Sequence, residues 1–247
     1  MRTVAMSAMP NIDYGSRLRA GVLIPSGNSV AEPEMRAMLP REVSMLVTRL
    51  ALRGSSATEL MRMLDQLEAA CGLLSDARVG CIVFHCTAVS TFAPELAGDI
   101  RERFQSASGI RCFTTADAIL EGLKRLNAKT VSLLTPYIDA VHEREVAFLE
   151  ANGFAVKGSA NLGVNTNAEM ASLSSETIFD WARRNVHAGA DACLISCTAI
   201  KSAPVIAQLE KASGLPVLSS NQSMAWYLLR SSGIDDRIND YGHLLSI

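Results

Sequence analysis

The chain has 247 residues, of which 49% are hydrophobic and only 19% are charged, and its net charge is −2. This length provides for one large domain or for two domains of about half that size. A small negative charge without basic runs argues against nucleic-acid binding. The lack of an apolar stretch of about 18 residues argues against a membrane-spanning helix. We therefore expect neither a nucleic-acid nor a membrane partner, and the low charge predicts a homo-oligomer.

The six cysteines and four histidines show no zinc-ligand spacing, because no Cys-x-x-Cys pair occurs. A chain of this size and apolar content does not need disulfides, so we predict reduced thiols, a cytoplasmic location and no metal. Residues 1–17 lack the apolar core of a secretory signal and are predicted to form a loose tail. Four cysteines fall inside predicted elements and are expected to pack in the core: Cys71, Cys81, Cys112 and Cys193.

Apolar runs closed by Pro, Gly or polar residues alternate along the chain with segments of helical periodicity. In the first half, strands are predicted at 20–24, 43–50, 79–84 and 109–114, and helices at about 56–76, from Pro94 onward and at 116–126. In the second half, strands are predicted at 130–134, 153–159, 192–196 and 215–219, and helices at about 175–188, from Pro204 onward and at about 221–231. This alternation predicts parallel sheets built from βαβ units.

The two halves repeat each other at a fixed offset. Cys197 follows Cys86 by 111 residues, each within a Cys-Thr-Ala segment, and Pro136 follows Pro25 by the same number. Two motifs at one offset indicate an internal duplication. The predicted fold is therefore α/β, with two similar lobes that are each a mostly parallel sheet flanked by helices. A pseudo-twofold axis relates the lobes, and the active site lies between them. The first lobe is predicted at 18–114 and the second at 115–221, with 222–247 packing back on the first.

The repeated motifs follow predicted strands, and ligands of parallel sheets bind beyond the carboxyl ends of strands. One cysteine from each lobe, Cys86 and Cys197, would then face a shared cleft. Each begins a turn into a helix, where backbone N–H groups bind carboxylates and lower the pKa of a thiol. His85 precedes Cys86 and is expected to point to the opposite face of the strand as a buried or interface residue, or else to tune Cys86.

Two opposed thiols suit acid–base or nucleophilic chemistry on the two faces of a carbon beside a carboxylate. The carboxylate would be held by neutral donors, since the motifs contain no Lys or Arg before Lys201. The candidate substrate-binding residues are Ser26, Asn28, Thr87, Tyr137, Asn165, Asn167 and Thr198. The sequence thus predicts a small carboxylate as the substrate.

The segments GVLIPSGNSVAEPEM, TPYIDAVHEREVAFLEANGF, NTNAEMA and SCTAI resemble the aspartate/glutamate racemase superfamily, over about residues 18–232. Within it they resemble the maleate cis–trans isomerase and arylmalonate decarboxylase branch. The resemblance implies an enzyme without a cofactor, in which Cys86 adds to the double bond of a cis-enediacid. The adduct rotates about its C–C bond, and Cys197 assists protonation and elimination. Asn28 and Tyr137 match substrate-binding positions, as does Asn167, with Asn165 as the alternative.

The decarboxylases of this branch keep only the second-lobe cysteine, so the presence of both favours a cofactor-independent isomerase of a small dicarboxylate. The segments HCTAVST and CTAIKS depart from the isomerase pattern next to each cysteine, which leaves the substrate open. One alternative is a two-cysteine racemase or epimerase of an amino acid, a hydantoin or a related carbon acid. Another is a non-catalytic protein that binds a small acid.

Overall fold

A computed structural model describes residues 11–52, 57–91, 102–103, 106 and 109–247. The first ten residues of the predicted tail lie outside these ranges, as does most of the helix predicted from Pro94. None of the described helices is long and apolar enough to span a membrane.

The described residues form two four-stranded parallel sheets with one topology. The first sheet has the order β2-β1-β3-β4 and the second the order β6-β5-β7-β8, so each repeat contributes one sheet in the same arrangement. The strands are β1 (Leu18–Pro25), β2 (Val43–Leu50), β3 (Cys81–Phe84), β4 (Cys112–Thr114), β5 (Thr130–Tyr137), β6 (Ala155–Val164), β7 (Ala192–Ile195) and β8 (Val217–Ser219). The predicted α/β fold of two similar lobes is confirmed.

Helices flank both sheets. They are α1 (Ala31–Met38), α2 (Ala57–Leu64), α3 (Leu67–Asp76), α4 (Thr87–Ser90), α5 (Thr115–Arg125), α6 (Asp139–Ala151), α7 (Asn167–Ser172), α8 (Ser175–Asn185), α9 (Ile206–Ser213) and α10 (Ser220–Ser231), with a 3-10 turn at Leu244–Ser246. The single helix predicted over 56–76 is instead two helices, α2 and α3. Gln66 lies at the break, where its side-chain amide hydrogen-bonds to the backbone N–H and carbonyl of Ala51 just after β2.

The strands nearest the centre of each sheet are buried because both of their faces are covered. Residues 20–25 of β1 and all of β3 are buried, as are residues 131–137 of β5 and all of β7. Continuous apolar runs of this kind are the sequence signature of parallel strands covered by helices on both sides. The carboxyl ends of β1 and β3 therefore meet at one edge of the first sheet, and those of β5 and β7 at the matching edge of the second.

Helices α5 and α10 follow the last strand of their sheets and pack against each other. Each begins with a capping box, Thr114 with Asp117 and Ser219 with Gln222, which satisfies the first backbone N–H groups of the helix. Helix α10 also covers the first sheet, since its Leu228 lies in one hydrophobic cluster with residues of β1. The two helices thus join the two lobes through their mutual packing.

We expect Leu228→Ala to lower the free energy of unfolding by about 2–5 kcal/mol, because the side chain is fully buried and its loss leaves a cavity. Leu73→Ala is the matched control, since Leu73 also lies on a helix but is 64% exposed, and should change stability by less than about 0.5 kcal/mol. Urea denaturation measures both. Equal effects of the two substitutions would contradict the packing of α10 described above.

Candidate active site

The two motif cysteines occupy equivalent places in the two lobes. Cys86 lies two residues beyond β3 and is the N-cap residue of α4, and Cys197 lies two residues beyond β7. The backbone N–H groups of Val89 and Ala88 lie near the sulfur of Cys86 and lower its pKa, although neither caps it with a regular hydrogen bond. The sulfur of Cys197 accepts one from the N–H of Ala199 at 3.2 Å. Each thiol therefore sits in a turn whose backbone donors point at sulfur, as the sequence predicted.

Tyr137 interacts electrostatically with both thiols. It ends β5, is buried, and its hydroxyl hydrogen-bonds to Cys197. Burial raises its pKa well above the usual value, and the charges of Cys197, Glu145 and Cys86 raise it further. Since Cys86 comes from the first lobe and the other residues from the second, the structure brings both cysteines to one place at the lobe boundary.

Both thiols are buried, with exposed fractions of 4% for Cys86 and 2% for Cys197. Burial raises the pKa of each to about 12, and the nearby donors of Val89, Ala88, Tyr137 and Ala199 offset only part of this shift. The expectation of a lowered thiol pKa was therefore wrong in its net direction, although the backbone donors act as expected. Desolvation disfavours a thiolate more than these few donors stabilise it.

Asn28 and Thr198 join the lobes directly. The side-chain nitrogen of Asn28 donates to Thr198 Oγ1 at 3.0 Å. Its side-chain oxygen accepts from the N–H groups of Val30 and Ala31, which open α1. The amide is thus fixed at both ends, and its nitrogen faces the residue that follows Cys197.

Thr87 follows Cys86 in the first lobe, and its side chain contacts the start of α10. Its hydroxyl donates to Ser220 Oγ at 2.9 Å, at the first residue of α10. Ser220 lies 3.5 Å from the hydroxyl of Ser196, the residue before Cys197. Ser196 in turn donates to the buried carboxyl group of Glu145 on α6. A chain of hydroxyl groups therefore runs from the residue beside one cysteine to the residue beside the other.

Ser26 is placed differently from Asn28. Its side chain is exposed, and its hydroxyl accepts from the N–H of Leu52 at 3.2 Å, which fixes the loop after β1. Arg49, at the end of β2, donates to the carbonyl of Asn28 at 2.7 Å and to that of Ser26 at 3.3 Å. The sequence analysis did not single out Arg49. The pairing of β1 with β2 brings it to this loop, which no local pattern reveals.

Asn167 faces the first lobe from the second. It is the first residue of α7 and is half-buried. A side chain at Gly27 would lie 3.4 Å from the side-chain carbon and nitrogen of Asn167, so the two residues are neighbours. Asn165, two residues earlier, is exposed. The structure therefore places Asn167 beside the loop of Ser26 and Asn28.

A second buried network contains His85, which the sequence analysis expected to be a buried or interface residue, together with Asn221 and Glu34, which it did not single out. The ring of His85 hydrogen-bonds to Thr115 Oγ1 at 3.1 Å and to Asn221 Oδ1 at 2.8 Å. Asn221 donates to the carboxyl group of Glu34 at 2.7 Å and to the carbonyl of Thr198 at 3.3 Å. Burial lowers the pKa of His85 to about 4, so the ring is neutral and serves the buried contact.

Glu34 and Glu145 are repeat equivalents, because they too are separated by 111 residues. Burial raises the pKa of each carboxyl group to about 7. Extending the offset from the proline and cysteine motifs into the helices after β1 and β5 would have revealed this pair. Their partners Asn221 and Ser196 could not be found in this way, since the contact of Asn221 with Glu34 depends on the packing of the lobes and that of Ser196 with Glu145 on the packing of α6 within the second lobe.

No cluster of three metal-binding side chains occurs among the residues that the structure describes. The donors gathered around the two thiols are instead neutral hydroxyl, amide and backbone N–H groups. Such a set can hold carboxylates and stabilise negative charge that develops beside sulfur.

Comparison with known proteins agrees with this geometry. The sequence model of the family described as arylmalonate decarboxylase matches residues 20–245. The chain belongs to this family. It is 32% identical over 238 residues to a maleate isomerase of Nocardia farcinica, an alignment that covers 92% of the chain and 95% of the relative. It is 30% identical over 248 residues to a maleate isomerase of Alcaligenes faecalis, covering 92% and 96%. The resemblance found in the sequence motifs is confirmed.

The family also shares the fold. A cysteine-to-serine variant of Nocardia farcinica maleate cis–trans isomerase, with a covalently bound succinylcysteine intermediate, has a TM-score of 0.86 at 28% identity. The match covers 93% of this chain and 98% of that one. The fold described above is thus shared with a solved structure of a maleate isomerase.

The buried carboxyl group of Glu34 should make stability fall as pH rises. Its pKa is 4.5 in the unfolded chain and about 7 in the folded one, so only the folded state holds the proton between these values. Stability that is present below about pH 4.5 is therefore lost as pH rises to about 7. Glu34→Gln removes this titration. As pH rises from about 4.5 to about 7, the free energy of unfolding of the variant should therefore increase relative to that of the wild type by on the order of 2–3 kcal/mol.

Urea denaturation of both proteins at a series of pH values measures this difference. The buried His85 contributes equally to both curves, so it cancels from their difference. Parallel curves would show that the Glu34 carboxyl group is not held neutral in the folded protein.

Proposed function

We propose that this chain is a cofactor-independent cis–trans isomerase that acts on maleate through the cysteine pair Cys86 and Cys197. The observation that carries the proposal is that two repeat-equivalent thiols, one from each lobe, lie in turns joined across the lobe boundary by the contacts of Thr87 with Ser220 and of Ser220 with Ser196. Support comes from the maleate isomerases to which most of the chain is similar, and from the succinylcysteine found in one of their structures.

In the first step, the thiolate of Cys86 adds to one alkene carbon of maleate, and a new C–S bond forms. The electron pair of the double bond moves to the neighbouring carbon and its carboxylate, which becomes an enediolate. The thiol of Cys197 then gives its proton to that carbon. The product is a succinyl thioether on Cys86 together with a Cys197 thiolate, so atoms and charge balance.

In the second step, the adduct rotates about the former double bond, which is now a single bond. The thiolate of Cys197 takes a proton from the carbon beside the carboxylate, the C=C bond re-forms, and the C–S bond to Cys86 breaks. Fumarate leaves, and the thiolate and the thiol return to their starting places. The N–H groups of Val89 and Ala88 stabilise the Cys86 thiolate at both ends of the cycle.

The carboxylates of the substrate need donors on both sides of the cleft. Asn28 and Thr87 supply the first-lobe side, and Asn167, Thr198 and Tyr137 supply the second. Because these groups are neutral dipoles in a buried setting, they can follow the charge as it moves from carboxylate to enediolate. Ser26, which is exposed and bonded to Leu52, contributes to the loop that carries Asn28.

The same two thiols also fit a two-base racemase of a small carbon acid, because their near-symmetric placement could serve two faces of one stereocentre. Solvent deuterium separates the two reactions. A racemase incorporates deuterium at an sp³ α-carbon of its substrate, whereas the isomerase releases an alkene. A protein that only binds a small acid would convert neither maleate nor the carbon acid of a racemase.

Replacing either cysteine should abolish most of the activity. We expect Cys86→Ala and Cys197→Ala each to lower kcat for maleate by at least about 10²-fold, because each removes one of the two groups that handle the reacting carbons. Conversion of maleate to fumarate is followed by proton NMR. The control is Cys193→Ala, a fully buried cysteine within β7, which should keep kcat within about twofold.

Mass spectrometry of the Cys197→Ser variant after treatment with maleate tests the same prediction in a second way. The peptide that contains Cys86 should gain the mass of one maleic acid. Unchanged kcat in both alanine variants, or an adduct on a core cysteine instead of Cys86, would overturn the proposal.

Asn167 and Asn165 should differ in their effect on substrate affinity. We expect Asn167→Ala to raise KM for maleate by about tenfold, the effect of losing a hydrogen bond to a charged group. Asn165→Ala should raise KM by less than about threefold, because Asn165 is exposed and Asn167 faces the first lobe. Steady-state kinetics on both variants measures this. The opposite order would assign the contact to Asn165.

A further inference from the structure

Glu145 is a buried acid that the mechanism above does not use. Its side chain is 1% exposed, and one carboxyl oxygen accepts the hydroxyl proton of Ser196, the residue before Cys197. Its other oxygen is buried without a hydrogen-bond partner among the described residues. A carboxyl group so placed in the interior exerts a strong electric field, because little solvent screens it.

The field of Glu145 acts on one thiol of the pair. Its negative charge raises the pKa of Cys197 and that of Tyr137, to which Cys197 is hydrogen-bonded. The pKa of Cys86, by contrast, is set by burial and by the N–H groups of Val89 and Ala88. The duplication has thus placed the two sulfurs alike, but α6 brings a carboxyl group to only one of them.

The repeat equivalent on α1, Glu34, has the same burial and different partners. Its carboxyl group accepts hydrogen bonds from Asn221, Ser202 and the N–H of Ala203. This carboxyl group is therefore held by several donors, whereas the contact of Glu145 is with Ser196. The chain therefore provides its own control for the effect of a buried glutamate in this setting.

The titratable groups that face Glu145 in the described part of the chain are few. From β5 comes the hydroxyl of Tyr137, and from the turn after β7 comes the thiol of Cys197. On its own helix, His142 lies one turn earlier, where its ring hydrogen-bonds to Thr135. Burial lowers the pKa of His142, which favours the neutral form of the ring.

We propose that Glu145 is a positioning residue that decides which cysteine holds the proton. Its carboxylate disfavours a thiolate on Cys197, so Cys86 is the sulfur that ionises and Cys197 the one that remains a thiol. On the proposed function, this makes Cys86 the nucleophile and Cys197 the proton donor. The bias itself is a property of the protein without substrate.

The ratio of the thiolate fractions of Cys197 and Cys86 should change with pH. Burial raises the pKa of Glu145 to about 7, so the carboxylate forms only as pH rises through this value. Both thiols titrate far above it, so their thiolate fractions rise in parallel with pH, and the ratio between them stays constant unless a nearby group changes charge. Ionisation of Glu145 therefore produces a step in that ratio near pH 7.

Methyl methanethiosulfonate, a small reagent that reacts with thiolates, can measure this ratio. Initial rates of modification at Cys86 and Cys197 are read by peptide mass spectrometry from about pH 5.5 to about pH 8.5, a range that brackets the titration. In the wild type we expect the rate at Cys197 relative to Cys86 to fall by roughly threefold or more across pH 7. In Glu145→Gln this step should be absent, and in Glu34→Gln it should be retained.

A flat ratio in the wild type would overturn the proposal, and this measurement needs no variant to fold. A step that persists in Glu145→Gln, or one that disappears in Glu34→Gln alone, would overturn it as well. Because no substrate is used, the result stands apart from whether maleate is isomerised.

Activity gives a second measurement that depends on the proposed function. We expect Glu145→Gln to lower kcat for maleate by about tenfold at pH 8.5 and by much less at pH 6, where Glu145 of the wild type is also neutral. Glu145→Asp, which restores the charge, should recover part of this loss at pH 8.5. A loss that is equal at both pH values would indicate a structural role and contradict the assignment.

Discussion

The site depends on a fixed distance between two lobes, because each lobe contributes one of the two sulfurs. That distance is held by the start of helix α10, where Ser220 hydrogen-bonds to Thr87 and Asn221 joins His85 to Thr198. Each of these links runs from a neighbour of one cysteine to a neighbour of the other. Buried hydrogen bonds specify geometry strongly, because breaking one leaves a polar group without water to replace its partner. The packing of α5 against α10 supplies the apolar part of the same junction.

Burial also sets the chemistry of the groups at this junction. Desolvation raises the pKa values of the two thiols and of the carboxyl groups of Glu34 and Glu145, and lowers that of His85. The hydroxyl, amide and backbone N–H donors around the thiols are neutral, so a dianion can bind there without displacing a bound counter-charge. The same site can also stabilise a thiolate or an enediolate through dipoles that are already oriented, which lowers the reorganisation needed during the reaction.

The internal repeat explains how much of this could be read from the sequence. A common offset placed Cys86 and Cys197 at equivalent strand ends, and alternating apolar runs predicted the two parallel sheets. The net shift of the thiol pKa could not be predicted in this way, because it depends on how completely the lobes cover each sulfur. Arg49 and Asn221 were missed for a related reason, since their partners are distant in sequence and the contacts exist only once the sheets and lobes have assembled.

Duplication makes two similar half-sites, whereas an addition–elimination reaction needs two different ones. The copies differ at the positions that touch the cysteines. Ser26 in one copy corresponds to Tyr137 in the other, and only Tyr137 hydrogen-bonds to a thiol. His85 in the first copy corresponds to Ser196 in the second. Of these two residues, only Ser196 hydrogen-bonds directly to a carboxyl group, that of Glu145. These replacements bring the hydroxyl of Tyr137 to Cys197 and link its neighbour Ser196 to Glu145, whereas the donors near Cys86 are the backbone N–H groups of Val89 and Ala88. On the role proposed above for Glu145, divergence at these few positions is what distinguishes two sulfurs that the duplication placed alike.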